Sequence, residues 1–320
     1  MKKALPFFAF LFLLFSCKKH NSTVSAGPGK WTALANFPGV ATTGWAGFSI
    51  GNRLYAGVGS PGSNNRTPKD FYQFDPASGW SAIASFPLSG TISYSLGFSI
   101  GGLGYVVMTP DSVTKAGTLY AYDTTTNTWN ARSPYPGELV QDATAFVING
   151  KAYVGLGTYA GGIYNELYQY DPGTDKWTRM KDYPDVHTAW AASFVIGGYA
   201  YVGTGGSGSE IAECTANFYR YDPATDTWTP RASFPGGPRF LAAAFAIGNL
   251  GFVATGANAQ GQNVADCWQY DPGSDHWTRK ADFPGGATEE TLGFSGATAG
   301  YMLFDSGNTP TANALWEFQP

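Results

Sequence analysis

The chain has 320 residues, of which 13% are charged and 16% aromatic, with 42 glycines and three cysteines. So apolar and aromatic a composition excludes a disordered chain and suits many short strands joined by tight turns. Residues 1–29 hold four of the 19 Lys and Arg and none of the 23 Asp and Glu, so 30–320 carries 15 basic against 23 acidic side chains, a net of −8. A nucleic-acid partner, which needs a basic stripe, is therefore not expected.

In chain order, Lys2-Lys3 precedes an apolar run from Leu5 to Phe15 that is too short to span a bilayer as a helix. Leu14-Phe15-Ser16-Cys17 resembles a bacterial lipobox, which implies cleavage before Cys17 and a lipid anchor on its thiol; a plain secretory peptide is the alternative. The expected organisation is a signal peptide over 1–16, a polar tether over 17–29 containing Pro28, and one folded domain over 30–320. The expected address is the bacterial cell envelope, at the outer membrane, on its periplasmic or surface face. An exported compartment permits a disulfide, and Cys214 and Cys267 precede corresponding strands of neighbouring repeats. A bridge and two free thiols both fit.

From Lys30 onward one unit recurs. Its clearest copy is Tyr168-Gln169-Tyr170-Asp171-Pro172-Gly173-Thr174-Asp175-Lys176-Trp177, which reads as a strand, an Asp-Pro-Gly turn and a returning strand. The strand-ending position is Asp75, Asp123, Asp171, Asp222, Asp271 and Gln319, at intervals of 48, 48, 51, 49 and 48. The returning tryptophan is Trp31, Trp80, Trp129, Trp177, Trp228 and Trp277, and an aromatic-Pro pair follows each. A fixed period of this size marks a propeller, solenoid or array.

Each unit carries four strand signals. In the third, Ala143 to Ile148 is small and apolar, as a strand buried on both faces would be. Asn149-Gly150 is a two-residue hairpin turn, Lys151 to Gly157 the second strand, Leu167 to Tyr170 the third and Lys176 to Met180 the fourth. Rising polarity from first to fourth orders them from axis to rim. Four antiparallel strands repeated radially make propeller blades, with the tryptophans expected between blades. The pattern begins at Trp31 in a fourth strand and stops at Phe318-Gln319-Pro320 after a third. Lys30 to Ala35 is therefore expected to complete the last blade, giving an all-β, six-bladed β-propeller with closed edges.

These columns resemble the kelch repeat family across about 30–320. The family's glycine pair stands here as Gly57 and Gly59, Gly155 and Gly157, and Gly203 and Gly205; repeat five keeps only Gly256, and repeats two and six depart. The family's Pro-Arg survives only as Pro238-Arg239. The resemblance implies the fold. It leaves function open, because kelch propellers include enzymes and binding scaffolds alike.

In a propeller the loops entering the first strands and leaving the second open on one face. Trp45, Tyr94, Asp142, His187, Trp190, Arg239, Glu289 and Glu290 are expected there as ligand-binding residues. Aromatics beside carboxylates suit a sugar. Trp190 is the sharpest of these, because its equivalents counted back from each first strand are Gly44, Tyr94, Asp142, Leu241 and Glu290, whereas a blade-packing residue would repeat. The copper site of galactose oxidase, a kelch enzyme, needs two convergent His. Only three His are present: His20 in the tether, His276 in a turn on the opposite face, and His187. No metal, cofactor or catalytic residue is expected. The reading is a monomeric, non-catalytic propeller that binds a glycan or protein. The alternative is a sugar-active enzyme such as the sialic acid mutarotases, also kelch propellers, with Glu289, Glu290, Asp142 or His187 as acid or base.

Overall fold

The computed structural model describes residues 27–39, 44–59, 69–87, 92–110, 117–137, 141–159, 162–185, 189–206, 214–304 and 313–320. Among them there is no helix, and the strands form six four-stranded antiparallel sheets together with two small two-stranded ribbons. Five sheets run through the chain as consecutive strands. The sixth is Leu292–Phe294, Gly300–Phe304 and Ala314–Gln319, completed by Lys30–Ala33. Lys30 pairs with Gln319 and Ala33 with Trp316, so the N-terminal strand closes the ring. The molecule is a six-bladed β-propeller, as the phase of the two chain ends implied.

The turns behave as their residues dictate. Asn149 and Gly150 both adopt left-handed φ, 51° and 74°, the geometry of a tight hairpin turn. The Asp171 carboxylate accepts the Gly173 N–H at 2.9 Å and so ends the third strand.

Two repeating columns meet between blades. Each returning tryptophan donates its indole N–H to a carbonyl of the preceding blade. The acceptors are Ala281, Ala35, Ala84, Ser133, Lys181 and Ala232, at 2.9–3.2 Å. The aromatic of the aromatic-Pro pair, two residues beyond each acceptor, packs edge-on against the same indole, as Tyr135 does on Trp177 at 5.2 Å and 88°. In four blades a turn side chain adds a second stitch. Asp175 accepts the Tyr170 hydroxyl at 2.7 Å and the Ser133 N–H at 3.0 Å. Asn127, Asp226 and Asp275 do the same for their neighbours. In the split blade that turn is missing, and the Pro28 carbonyl accepts the Ala281 N–H instead.

The strand buried on both faces is the second of each blade, not the first. Ala152 to Gly155 is wholly buried, while Thr144 to Ile148 alternates between buried and half-buried. The small residues of the first strands serve a different purpose. Gly47, Gly97, Ala145, Ser193, Ala244 and Gly293 form one column, and there neighbouring blades touch backbone to backbone. A Cβ on Gly97 would strike the Gly47 carbonyl, and one on Gly293 the Ala244 carbonyl. The next residue is phenylalanine in all six blades, and in five it stacks on the aromatic of the second strand, as Phe146 does on Tyr153 at 5.2 Å.

Trp31 is 8% exposed and joins the core shared by blades five and six. Removing residues 30–37 should open that blade and lower the melting temperature by roughly 10 °C, several kcal/mol for a domain of this size. Thermal unfolding of the deletion against the intact chain checks this, and an unchanged curve would mean that the strand does not close the ring.

Candidate functional site

The six residues at the Trp190 position share one place in space. Gly44, Tyr94, Asp142, Trp190, Leu241 and Glu290 line a single cavity of about 270 Å³. Below them the next residues of the six blades, Trp45, Ser95, Ala143, Ala191, Ala242 and Thr291, form a second tier, with Leu96, Leu292 and Leu303 deeper. The small-residue column lies just below, where the first strands close on one another.

Backbone geometry turns the upper tier inward. Asp142, Trp190, Leu241 and Glu290 all hold left-handed φ between 55° and 59°, and Gly44 holds 65°. For bulky L-residues this region is strained, and such strain gathers at functional positions. Neighbouring members are linked: Trp190 N–H donates to the Asp142 carbonyl at 2.9 Å and Glu290 N–H to that of Leu241 at 3.3 Å. The glycine pairs explain how the loops fit. Gly157, at φ 115°, lies against the carbonyl of Gln141, the residue before Asp142, and a Cβ there would collide with it. Gly205 meets the Ala189 carbonyl in the same way, just before Trp190.

Asp142 is the chemical centre of the ring. Burial pushes its carboxyl up to about 6, against hydrogen bonds from Trp190 and Thr158 that pull it down. The Thr158 hydroxyl lies 3.3 Å from its Oδ2. Burial, and then the charges of Asp142 and Glu290, push the Tyr94 hydroxyl up, so both carboxylates act on that one phenol. Trp190 is half-buried and leans on Phe240, with ring centroids 5.7 Å apart at 45°.

The expected site residues divide accordingly. Tyr94, Asp142, Trp190 and Glu290 converge in the upper tier. Trp45 sits in the second tier, 8% exposed and packed on Phe37 at 4.7 Å, so most of its surface serves the core. Arg239 is not brought to the cavity. It is 2% exposed, and both terminal nitrogens are engaged, with Asp266 at 2.7 and 3.1 Å, the Thr255 carbonyl at 2.7 Å and the Gly236 carbonyl at 3.0 Å. Its two terminal nitrogens tie it to these neighbours, so it braces the loop, while its buried Nε has no partner. Glu289 is not among the residues that line the cavity, and a hydrogen bond with Asn263 opposes the upward push of burial on its carboxyl. His187, His20 and Cys17 lie outside the described residues. His276 is exposed at the start of an outer strand. Cys214 and Cys267 are both free thiols, Cys267 being fully buried. Sequence reasoning passed over Leu241 and Gly44 as site residues and, Trp45 apart, the second tier, although the columns that contain them are visible in the repeat alignment.

No protein-family model matches the sequence, and no curated protein matches it. A solved structure titled "Structure of YjhT" aligns at a TM-score of 0.71 with 18% identity, over 89% of this chain and 95% of that one. That likeness agrees with the six-bladed β-propeller. At that identity the likeness speaks for architecture alone, and the chemistry has to be read from the ring itself.

A carboxyl raised in the folded state holds its proton more tightly than in the unfolded chain. Asp142 therefore costs nothing below the ordinary carboxylate range, and its cost grows as pH rises to about 6, on the order of 1–3 kcal/mol. Asp142→Asn removes this titration. It should melt higher than the parent at about pH 7.5 and close to it at about pH 4, which thermal melts at the two pH values check.

Proposed function

We propose that this chain is an envelope-anchored, non-catalytic propeller that binds a sugar residue of a glycan in its axial cavity. The observation that carries the reading is the convergence of two aromatics and two carboxylates, Trp190, Tyr94, Asp142 and Glu290, from four different blades on one concavity. Aromatic faces stack on the apolar face of a pyranose, and carboxylates accept from its hydroxyls. The volume of about 270 Å³ lies at the lower edge of the roughly 300–1,000 Å³ usual for small-molecule sites, which favours one ring over a protein surface. Among the described lining residues there is no Lys or Arg, and the terminal nitrogens of Arg239 are engaged elsewhere.

One observation favours catalysis as a second reading. A carboxyl at about 6 exchanges its proton near neutrality, as a general acid or base acting at an anomeric centre must. Anomer-resolved NMR on free sugars separates the two readings. Accelerated interconversion that Asp142→Asn abolishes would make the protein an enzyme.

Binding itself is tested by titration against neutral monosaccharides and glycans. Trp190→Ala should weaken the best ligand by roughly 1–3 kcal/mol, as a stacked anchor does, and leave the melting temperature nearly unchanged. Trp177→Ala should bind normally but lose about 2–3 kcal/mol of stability, less than the 3–5 of a fully buried aromatic, because its ring is only half-buried. A Trp190→Ala variant that binds normally and melts as early as Trp177→Ala would remove the site.

The proposed anchor is lipid on Cys17. The Gly27 and Pro28 carbonyls accept from Lys280 Nζ at 2.9 Å and Ala281 N–H at 2.6 Å, and Lys30 begins its strand at the end opposite the cavity. A chain anchored through this segment would present the cavity away from the membrane. Cys17→Ser should shift the protein to the soluble fraction or leave its precursor uncleaved, as fractionation and immunoblotting will show.

A further inference from the structure

The cavity changes character with depth. Its rim carries the carboxyls and aromatic rings described above. Its floor is built from Leu96 of blade two and from Leu292 and Leu303 of blade six. Leu292 and Leu303 are paired across the first two strands of their blade. A Cβ on Gly47 would meet Leu292 Cδ1, so this leucine rests directly on the column where the first strands close. Backbone packed on backbone therefore seals the floor from beneath.

The second tier adds little polarity. All six of its positions lie among the described residues, and three of them are Ala143, Ala191 and Ala242. The Ser95 hydroxyl donates to the Gly44 carbonyl at 2.7 Å, and the Thr291 hydroxyl is hydrogen-bonded to that of Thr255 at 3.3 Å. The Trp45 indole nitrogen is buried, so this ring offers the cavity no donor. A ligand hydroxyl pushed down the axis would leave water for aliphatic carbon and lose hydrogen bonds that it could not replace there. A methyl group in the same place would leave water at a gain. An acetamido group fits less well, since its N–H and C=O would enter the apolar floor together with its methyl.

We infer that the axial cavity selects a 6-deoxyhexose over the parent hexose that carries a hydroxyl at C6. The inference rests on the sugar-binding reading above and names the class of sugar which that site takes. The methyl points down the axis onto Leu96, Leu292 and Leu303. The ring lies against Trp190, and its hydroxyls stay at the rim, within reach of Asp142.

The test is calorimetric titration of the full chain in detergent with two matched pairs, D-fucose against D-galactose and L-rhamnose against L-mannose, and with N-acetyl-D-glucosamine. The members of each pair differ only in the oxygen at C6. In the better-bound pair the 6-deoxyhexose should bind about tenfold more tightly than its partner. Combining Leu96→Thr with Leu292→Thr puts hydroxyls into the floor and should cut that lead several-fold. Should this variant fail to fold, the matched pairs on the parent chain still decide. Equal binding within the pairs, or tighter binding of the hydroxylated member, overturns the inference and leaves the sugar-binding reading standing. Binding of a sugar from the neutral panel but of neither 6-deoxyhexose has the same meaning. N-acetyl-D-glucosamine binding as tightly as the better 6-deoxyhexose overturns the inference too, because the floor would then accept an amide. So does a lead that survives undiminished in the folded variant. Failure of every sugar, here and in the neutral panel, overturns the sugar-binding reading.

Discussion

The hydrogen bond from each outer-strand tryptophan to the blade before it governs the molecule. Six indole N–H groups, from Trp31 round to Trp277, reach six carbonyls at 2.9–3.2 Å, and the circuit closes across the two chain ends through Trp31 and Trp80. One such bond contributes only about 1 kcal/mol, but each acceptor also leads into an aromatic that packs on the same indole. Blade-to-blade geometry is thereby set at the rim, far from the axis. Because each blade is held at one angle to its neighbour, six entry loops separated by about fifty residues in the chain arrive at one ring.

The ring separates scaffold from chemistry. Its backbone is periodic, with left-handed φ in five of six blades, while its side chains are Gly, Tyr, Asp, Trp, Leu and Glu. A fold maintained by repetition tolerates variety at this position because nothing in the blade core depends on the side chain there. The column beneath the second tier, where first strands meet backbone to backbone, holds only small residues and varies little: Gly47, Gly97, Ala145, Ser193, Ala244 and Gly293.

The ring is also where the fold accepts an electrostatic cost. A buried charge of the same chain is matched a few loops away. Arg239 pairs with Asp266 under the Trp268 indole. Burial pushes the Asp266 carboxyl up, but the bonds from Arg239 and Trp268 outweigh it and hold the carboxyl low. Asp142 receives only neutral donors and is driven the other way, to about 6. Two carboxyls of one propeller thus end on opposite sides of the ordinary value, and the difference is chiefly the Arg239 guanidinium, with the charge of Arg279 adding to it. An unmatched carboxylate at a concave, strained position fits a site tuned for a ligand at some expense in stability.

Blade number, strand order and closure were all legible along the chain. Period and phase are one-dimensional facts: a pattern that starts on a fourth strand and stops after a third closes only by pairing its ends. The membership of the ring was also legible, because counting back from each first strand finds all six residues, and the Trp190 column stood out by failing to repeat. Which residues actually face the ligand was decided by packing. Arg239 and Glu289 sit one or two positions from ring members, yet the first is drawn beneath the loop by Asp266 and the second is hydrogen-bonded with Asn263. The small residues of the first strands looked like the mark of full burial, but their size serves the close approach of neighbouring backbones, which only the closed ring creates. The proton affinity of Asp142 belongs to the tertiary structure for the same reason. It arises from burial among blades that are remote in sequence, and no local pattern encodes the loss of water around a carboxylate.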